Sequence, residues 1–369
     1  MEKRVVIFAP LWMKIPTSGY GAIEKIVLER SKAFRRNGFK VQLVANCDNT
    51  NVADEVVNVA KIFKSPKSML GVQNWIVTLK WFKYISEYIS RKNIIWDSPI
   101  ISDALLVDPL DSYLLASSFG LERFVYIMHG NHYSVHFPGK FIFPYTEFLF
   151  PSFRKIMYGS LNTKLYHIMK VKGYTTFYLP NGIEPLPLSS ICKTPGNYAC
   201  FVGAIRMDKG AHLAIKYARK VGINLKIVGP IKDHKYFVKL IKPYLSDSIV
   251  YLGEIKRDLL NEVMKQALVL LYCSSFDDPQ ATVLLESLSY GVPVLALDFP
   301  KISGLYDIVE DGINGYIGNM DYLVQHFCHA ISLDRFTIAR NTGRYWSWDY
   351  VLKRNYLGVI EKMSPISAK

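Results

Sequence analysis

Two carboxylates eight residues apart, Asp278 and Glu286, are the first candidates for chemistry in this 369-residue chain. They stand in FDDPQATVLLESLSYG, Phe276 to Gly291. The apolar run before them, Ala267 to Tyr272 (ALVLLY), has the composition of a buried strand in a parallel sheet. Asp277 and Asp278 followed by Pro279 predict a helix start, with Pro at the first position. Gly291 and Pro293 predict its end. On such an element the two acids lie on roughly one side, about 12 Å apart along the axis at full helical rise. They can hold the hydroxyls of a sugar and of a ribose, while free N–H groups at the helix start receive an anion. The plainer alternative is that Asp278 only caps and Glu286 only faces solvent.

A second cluster is Phe201 to Gly210, FVGAIRMDKG: a strand, a Gly turn and a helix start. Gly203 lets backbone approach a ligand, and Lys209 sits where a positive charge can neutralise a diphosphate. An ordinary βα turn with a solvent Lys has the same pattern. His129 ends a further predicted strand, Phe124 to Met128, where an open α/β sheet has its ligand crevice. His129, His132 and His136 are spaced by three and four. They lack a carboxylate or Cys partner nearby and fall on a loop, so no metal site is expected.

Gly19, Gly21 and Glu24 form an incomplete dinucleotide fingerprint, and Asp48 stands where a ribose-binding acid would. A nicotinamide-dependent oxidoreductase is therefore the rival reading. Against it, the loop before Gly19 contains Pro10 and Pro16, is too long for the tight turn, and the third glycine is missing.

These residues need a frame of alternating elements. Val5 to Ala9 reads as a strand. A helix from about Ala22 to Asn37 follows, with Ile23, Ile26, Val27, Ala33 and Phe34 at helical spacing, then a strand from Val41 to Ala45. A second array has strands near Ala199–Val202, Leu225–Val228, Ile249–Leu252, Leu268–Tyr272 and Val294–Leu297. Between the arrays lies YLPNGI, Tyr178 to Ile183, whose Pro180 and Gly182 suit a boundary. The expectation is an α/β protein of two parallel-sheet domains, 1–180 and 181–345, which its length permits. Asn74 to Ile89 reads as an aromatic amphipathic helix, Phe137 to Phe153 is crowded with aromatics, and Leu323 to Lys362 forms the final helices.

Net charge is +14, uneven between residues 1–180 (23 basic, 13 acidic) and 181–369 (22 and 18). Blocks at Lys61–Lys92 and Phe148–Ile183 account for it. Such surfaces attract polyanions, here acidic lipid head groups or phosphorylated acceptors rather than nucleic acid. No apolar run approaches the ~18 residues needed to cross a bilayer. The short N-terminal run reads as a strand rather than a signal peptide, and the five scattered Cys as reduced thiols. Together these predict a cytoplasmic protein, peripheral on the inner face of the membrane.

The Asp278-to-Glu286 segment resembles the acid, seven residues, Glu signature of family-4 retaining glycosyltransferases. There the first acid is usually Glu followed by Pro-Phe-Gly; here it is Asp278, then Pro279, Gln280 and Ala281. PTSGYGAIEKIV is similar to the family's Gly-rich loop facing the donor phosphates, His129 to its strand-end His near the donor sugar, and YLPNGI to its entry into the second domain. FVGAIRMDKG resembles the Gly-Arg and Lys-Gly diphosphate clamp, with Ala204 where the Arg belongs and Arg206 as its substitute. Gly229–Pro230, Gly253–Glu254, Ile302–Gly304 and Asp311–Gly315 extend the likeness, which is densest over residues 199–318.

The resemblance implies GT-B architecture: two Rossmann-like domains facing across a cleft, with the last helix, about 346–369, crossing back to the first. It implies transfer from a UDP- or GDP-linked sugar, with retention and no cofactor or metal, to a glycan, glycolipid or lipid-linked acceptor. Lys209 and Arg206 would clamp the diphosphate, Glu286 hold the ribose, and Asp278 orient the sugar. Gly19, Tyr20, Gly21 and His129 would form the facing wall. Gly203, Gly229, Gly253, Glu254, Pro279, Gln280, Ala281 and Thr282 would line the donor. Ala204 and Asp278 leave a catalytically weak sugar-nucleotide binding protein as a further alternative.

Overall fold

The structure, a computed structural model, describes residues 2–10, 14–15, 22–47, 50–59, 83–84, 87–88, 91, 95–103, 116–129, 155–299 and 303–363. Most of the aromatic helix expected at Asn74–Ile89, and all of Phe137–Phe153, lie outside the described residues.

The described strands form two parallel sheets. The first contains β1 (Lys3–Phe8), β2 (Lys14–Ile15), β3 (Phe39–Cys47), β4 (Glu55–Asn58), β5 (Ile100–Ser102), β6 (Phe124–Met128), β7 (Met157–Ser160) and β8 (Thr176–Tyr178). Their order is β2-β3-β1-β5-β6-β7-β8, with β4 also on β3. The second contains β9 (Tyr198–Val202), β10 (Asn224–Val228), β11 (Ile249–Tyr251), β12 (Leu270–Tyr272), β13 (Val294–Leu297) and β14 (Gly315–Gly318). It runs β11-β10-β9-β12-β13-β14. Central strands carry continuous apolar runs, such as Val5 to Phe8 and Val294 to Leu297, because helices cover both faces and every side chain is buried. The strand order reverses between β1 and β5, and again between β9 and β12. Ligand crevices of open α/β sheets lie at such points, outside the carboxyl ends of the strands.

The helices that matter below are α1 (Ala22–Arg36), α2 (Thr163–Val171), α3 (Ala211–Val221), α4 (Arg257–Lys265), α5 (Thr282–Ser289), α6 (Arg335–Trp346), α7 (Trp348–Val351) and α8 (Leu357–Met363). After α6 the chain returns to the first lobe. Trp348, Leu352, Tyr356, Ile360 and Met363 join the same core as Val5, Ile7 and Val41. The crossing is tight. Ile183 donates its N–H to Trp346 O at 2.8 Å, and Trp348 donates to Ile183 O at 3.1 Å. A Cβ on Gly182 would stand 2.7 Å from Trp348 Cα, so the outgoing and returning strands of chain pass only because residue 182 is glycine. The returning segment thus completes the first lobe's core while tying it to the second.

Trp348 is fully buried and its Nε1–H donates to Glu29 Oε2 at 3.0 Å. Trp348→Ala should therefore cost about 3–5 kcal/mol, the range for deleting a buried large aromatic. Urea denaturation measures it; a loss below about 1 kcal/mol would mean the crossing segment contributes little to holding the first lobe.

Candidate functional site

A cleft of about 670 Å³ lies between the lobes, with His129 and Leu161 on one wall and Lys209, Asp278, Gln280 and Glu286 on the other. The segment after β12 shapes the second wall. Here α5 begins at Thr282, not at the Asp-Pro pair that the residue types predict. Residues 278–281 are occupied otherwise. Pro279 O accepts from Asn162 Nδ2 at 3.0 Å, and Gln280 Oε1 accepts from the Asn181 N–H at 2.6 Å. The Gln280 Nε2 donates back to Asn181 O at 3.3 Å. Contacts to the first lobe and to the crossover hold these residues outside the helix. Asp278 is therefore no cap: Ala281 takes that position and offers no side-chain hydrogen bond. The first N–H groups of α5 lack a side-chain cap, and Ala281 and Thr282 line the cleft.

At the mouth, Lys209 Nζ stands 3.2 Å from Asp278 Oδ2 and 4.6 Å from the centre of the Phe276 ring. Arg206 is turned elsewhere. Its guanidinium forks onto Asp208 at 2.6 and 2.7 Å and flanks the same ring at 5.1 Å, and the residue is not on the cleft lining. Ala204 is buried. Among the clamp residues suggested by sequence, the cleft receives Lys209 alone.

Glu286 sits farther in, nearly buried. Lys25 Nζ, from α1 across the cleft, reaches its Oε1 at 2.6 Å, and Arg257 of α4 reaches the same oxygen at 3.1 Å. Oε2 has no hydrogen-bond partner among the described residues. Lys25 also lies 3.5 Å from Glu29. Burial pushes the Glu29 carboxyl above its ordinary range, opposed by Lys25 and by the Trp348 N–H.

On the first lobe, His129 follows β6, as its position in the sequence predicts, and lines the cleft. Its Nε2 lies 2.7 Å from Asp103 Oδ1, directly after β5. The other Asp103 oxygen takes the Arg30 guanidinium, and both residues are fully buried. Glu24, also buried, has its carboxyl pushed up by burial and drawn down by His129. Arg30, Asp103 and Arg257 belong to no motif, and Lys25 stands in PTSGYGAIEKIV without a role assigned to it; sequence reasoning missed all four. Arg30 did leave a signal: it interrupts the apolar stripe Ile26, Val27, Ala33 and Phe34.

The other expected residues divide. Gly203, Gly229, Glu254, Pro279, Gln280, Ala281 and Thr282 line the cleft, while Gly253 does not. Gly253 acts one layer back, its carbonyl accepting the Gly229 N–H at 2.9 Å. Gly229 has φ +145°, and a Cβ there would stand 1.9 Å from Gly203 O. The close pass of these two turns requires glycine at 229 rather than at 203. Gly19, Tyr20 and Gly21 lie outside the described residues. Among the described residues, no group of three His, Cys, Asp or Glu could hold a metal, and no helix is long and apolar enough to cross a membrane.

An uncharacterised glycosyltransferase of Methanocaldococcus jannaschii, MJ1178, is 26% identical over 168 residues, 44% of this chain and 46% of that protein. The chain thus matches less than half the length of that relative. Among solved structures, Staphylococcus aureus TarM, crystallised with fondaparinux, alpha-GlcNAc-glycerol and UDP, superposes with TM-score 0.72 at 13% identity, covering 97% of this chain and 99% of TarM. Anabaena HepE in complex with UDP-glucose gives 0.66 at 13% identity, covering 98% and 99%. The two parallel-sheet lobes are those of the GT-B fold, and residues 190–332 match the family of glycosyl transferases group 1.

Proposed function

We propose that this protein transfers a sugar from a nucleotide diphosphate sugar to a saccharide or lipid-linked acceptor, with retention of anomeric configuration. The observation that carries the reading is the spacing of three ligand groups along one cleft wall. Lys209 stands beside Asp278 at the mouth, the uncapped start of α5 follows, and the open Oε2 of Glu286 lies beyond. A sugar against Asp278, a diphosphate over the amides and a ribose at Glu286 would occupy them in that order. UDP is the first nucleotide to try, since TarM and HepE were crystallised with UDP or UDP-glucose. The match of residues 190–332 favours glycosyl transfer over nicotinamide chemistry.

In the proposed reaction the bond between the anomeric carbon and the diphosphate oxygen breaks, and its electron pair leaves with the diphosphate. The acceptor hydroxyl forms the new bond on the same face, and its proton passes to the departing diphosphate. Lys209 and the α5 amides stabilise the charge that grows on the leaving oxygen. His129, held by Asp103, contacts the sugar from the opposite wall. No metal or cofactor is assigned a step. Exposed Lys164 and Lys170 of α2, with Lys172 just after it, add positive charge that would suit an acidic acceptor or an anionic membrane surface.

A catalytically silent nucleotide-sugar binder is the second reading, favoured by buried Ala204 and by Arg206 turned onto Asp208. Hydrolysis of a bound donor separates the two.

Lys209→Ala should lower turnover by about 100-fold or more, the usual loss when a charge-stabilising donor is removed. Folding stability should fall by no more than about 1 kcal/mol, because the Lys209–Asp278 pair is partly exposed. Wild-type turnover in this variant, read as nucleotide release, would remove Lys209 from the clamp. Lys25→Met should raise the donor KM about 3–10-fold and leave kcat within about twofold, as expected for loss of orientation at a binding carboxylate. An unchanged KM would show that Glu286 needs no partner from the opposite lobe.

A further inference from the structure

Outside the cleft, the most exposed tyrosine among the described residues is Tyr306, at 62%. It stands on the short helix Leu305–Ile308, two residues after Gly304, where a Cβ would meet Pro279 O of the cleft wall at 2.6 Å. The next residue, Asp307, accepts the Thr163 N–H of α2 at 2.8 Å, so the segment beneath the ring is held from both lobes. A single exposed ring is ordinary, but this one has neighbours of a particular kind. Burial, the Asp298 carboxylate and then Asp311 push the Tyr306 phenol up to about 12. Asp298 follows β13, is exposed, and donates its N–H to Gly318 O, at the end of β14, at 2.9 Å. A second ring lies on Gly318: a Cβ there would stand 2.4 Å from Tyr322 Cδ1, so glycine lets Tyr322 rest against the backbone. The Tyr322 hydroxyl donates to Asp311 Oδ2 at 2.8 Å, and His326 packs on its ring with centroids 4.0 Å apart. Two tyrosines, each beside a carboxylate, thus share one patch at the carboxyl ends of β13 and β14. It lies one strand along the sheet from β12, whose following segment carries Asp278.

We propose that Tyr306 and Tyr322, with Asp298 and Asp311, form a contact surface for a neutral saccharide chain and hold the part of a glycan acceptor that lies outside the cleft; the acceptor role rests on the glycosyl-transfer reading above. The chemistry of the patch selects this partner. A pyranose presents a face of C–H groups, which lies against an aromatic ring, and a rim of hydroxyls, which donate to carboxylates. Rings already fixed beside acids offer both at once and lose little side-chain freedom on binding. A polyanion is disfavoured, because Asp298, Glu310 and Asp311 are exposed carboxylates in a chain whose net charge is +14. The same acids disfavour an anionic lipid surface. A saccharide lying over Tyr306 reaches the cleft across Gly304 and Pro279.

Isothermal titration of the full chain with maltohexaose, cellohexaose and chitohexaose tests the surface, with a heparin hexasaccharide as the anionic control. At least one neutral probe should bind the wild type with Kd at or below about 10 mM. Tyr306→Ala should weaken that binding about 5–10-fold, and Tyr306→Phe, which keeps the ring, should stay within about threefold. Tyr306→Ala should melt with the wild type, since the ring is exposed. Saturating UDP should leave the saccharide constants unchanged, because the patch lies outside the donor cleft. Heparin, drawn to basic faces elsewhere, should bind the wild type and Tyr306→Ala alike. Absence of binding by every neutral probe, equal binding by Tyr306→Ala, or heparin affinity lost with Tyr306 would each overturn the proposal. So would self-association of the wild type, read by analytical ultracentrifugation and abolished in Tyr306→Ala, which assigns the patch to a second copy. Tyr306-dependent saccharide binding in a chain whose melting neither UDP nor GDP shifts would uphold the surface and remove the donor reading instead.

Discussion

Gln280 is the residue on which the cleft's construction turns. Its carboxamide holds both backbone groups of Asn181, 99 residues away in sequence. Pro279 beside it is gripped by Asn162. In a helix starting at Pro279 the Pro279 carbonyl would point along the axis to the Val283 N–H, whereas here Asn162 takes it. The delay of α5 to Thr282 follows, and with it the lack of a capping side chain. One interlobe contact therefore frees Asp278 from capping, frees the first amides of α5, and fixes the crossover against the cleft. Gly304 fits the same demand, because a Cβ there would stand 2.6 Å from Pro279 O.

Charge inside the cleft is arranged by pairs that leave one oxygen unused. Both cations at Glu286 approach Oε1, so Oε2 has no hydrogen-bond partner among the described residues. Asp278 gives Oδ2 to Lys209 in the same way. On the facing wall the pattern differs: Asp103 uses one oxygen for His129 and the other for Arg30, and nothing is left over. A wholly buried ion pair contributes little net stability once its desolvation is counted. Its value is orientational. Asp103 fixes the orientation of the His129 ring through its Nε2.

Much of this was legible from residue types. Apolar runs ending in Gly or polar turns mark strands whose carboxyl ends reach the cleft, and β6 with His129, β9 with Gly203 and β12 with Asp278 all follow that rule. What was not legible came from contacts between distant segments. Asp-Pro is a sound local signal for a helix start, yet Asn162 and Asn181, far off in sequence, override it. Arg206 has the right charge at nearly the right place, but Asp208, two residues away, takes its guanidinium. Lys25 reads as one more surface Lys of α1 until the second lobe brings Glu286 to it. Arg30 is the instructive exception, since a charge on an apolar helix stripe must find a buried partner. The sequence shows the need without naming Asp103.

In the proposed reaction, the absence of Arg206 from the cleft lining bears on how a leaving diphosphate would be stabilised. A lone Lys209 already shared with Asp278 would be a weaker electrostatic clamp than two free cations, so more of the burden would fall on backbone dipoles. Uncapped amides suit that burden, because they are fixed before the reaction and need no reorganisation as charge develops. A capping acid at the helix start would compete with the diphosphate for those same N–H groups and repel it. The late start of α5 and the single Lys are thus complementary: a helix beginning at Pro279 with Asp278 as its cap would have left this cleft with neither free amides nor a second cation.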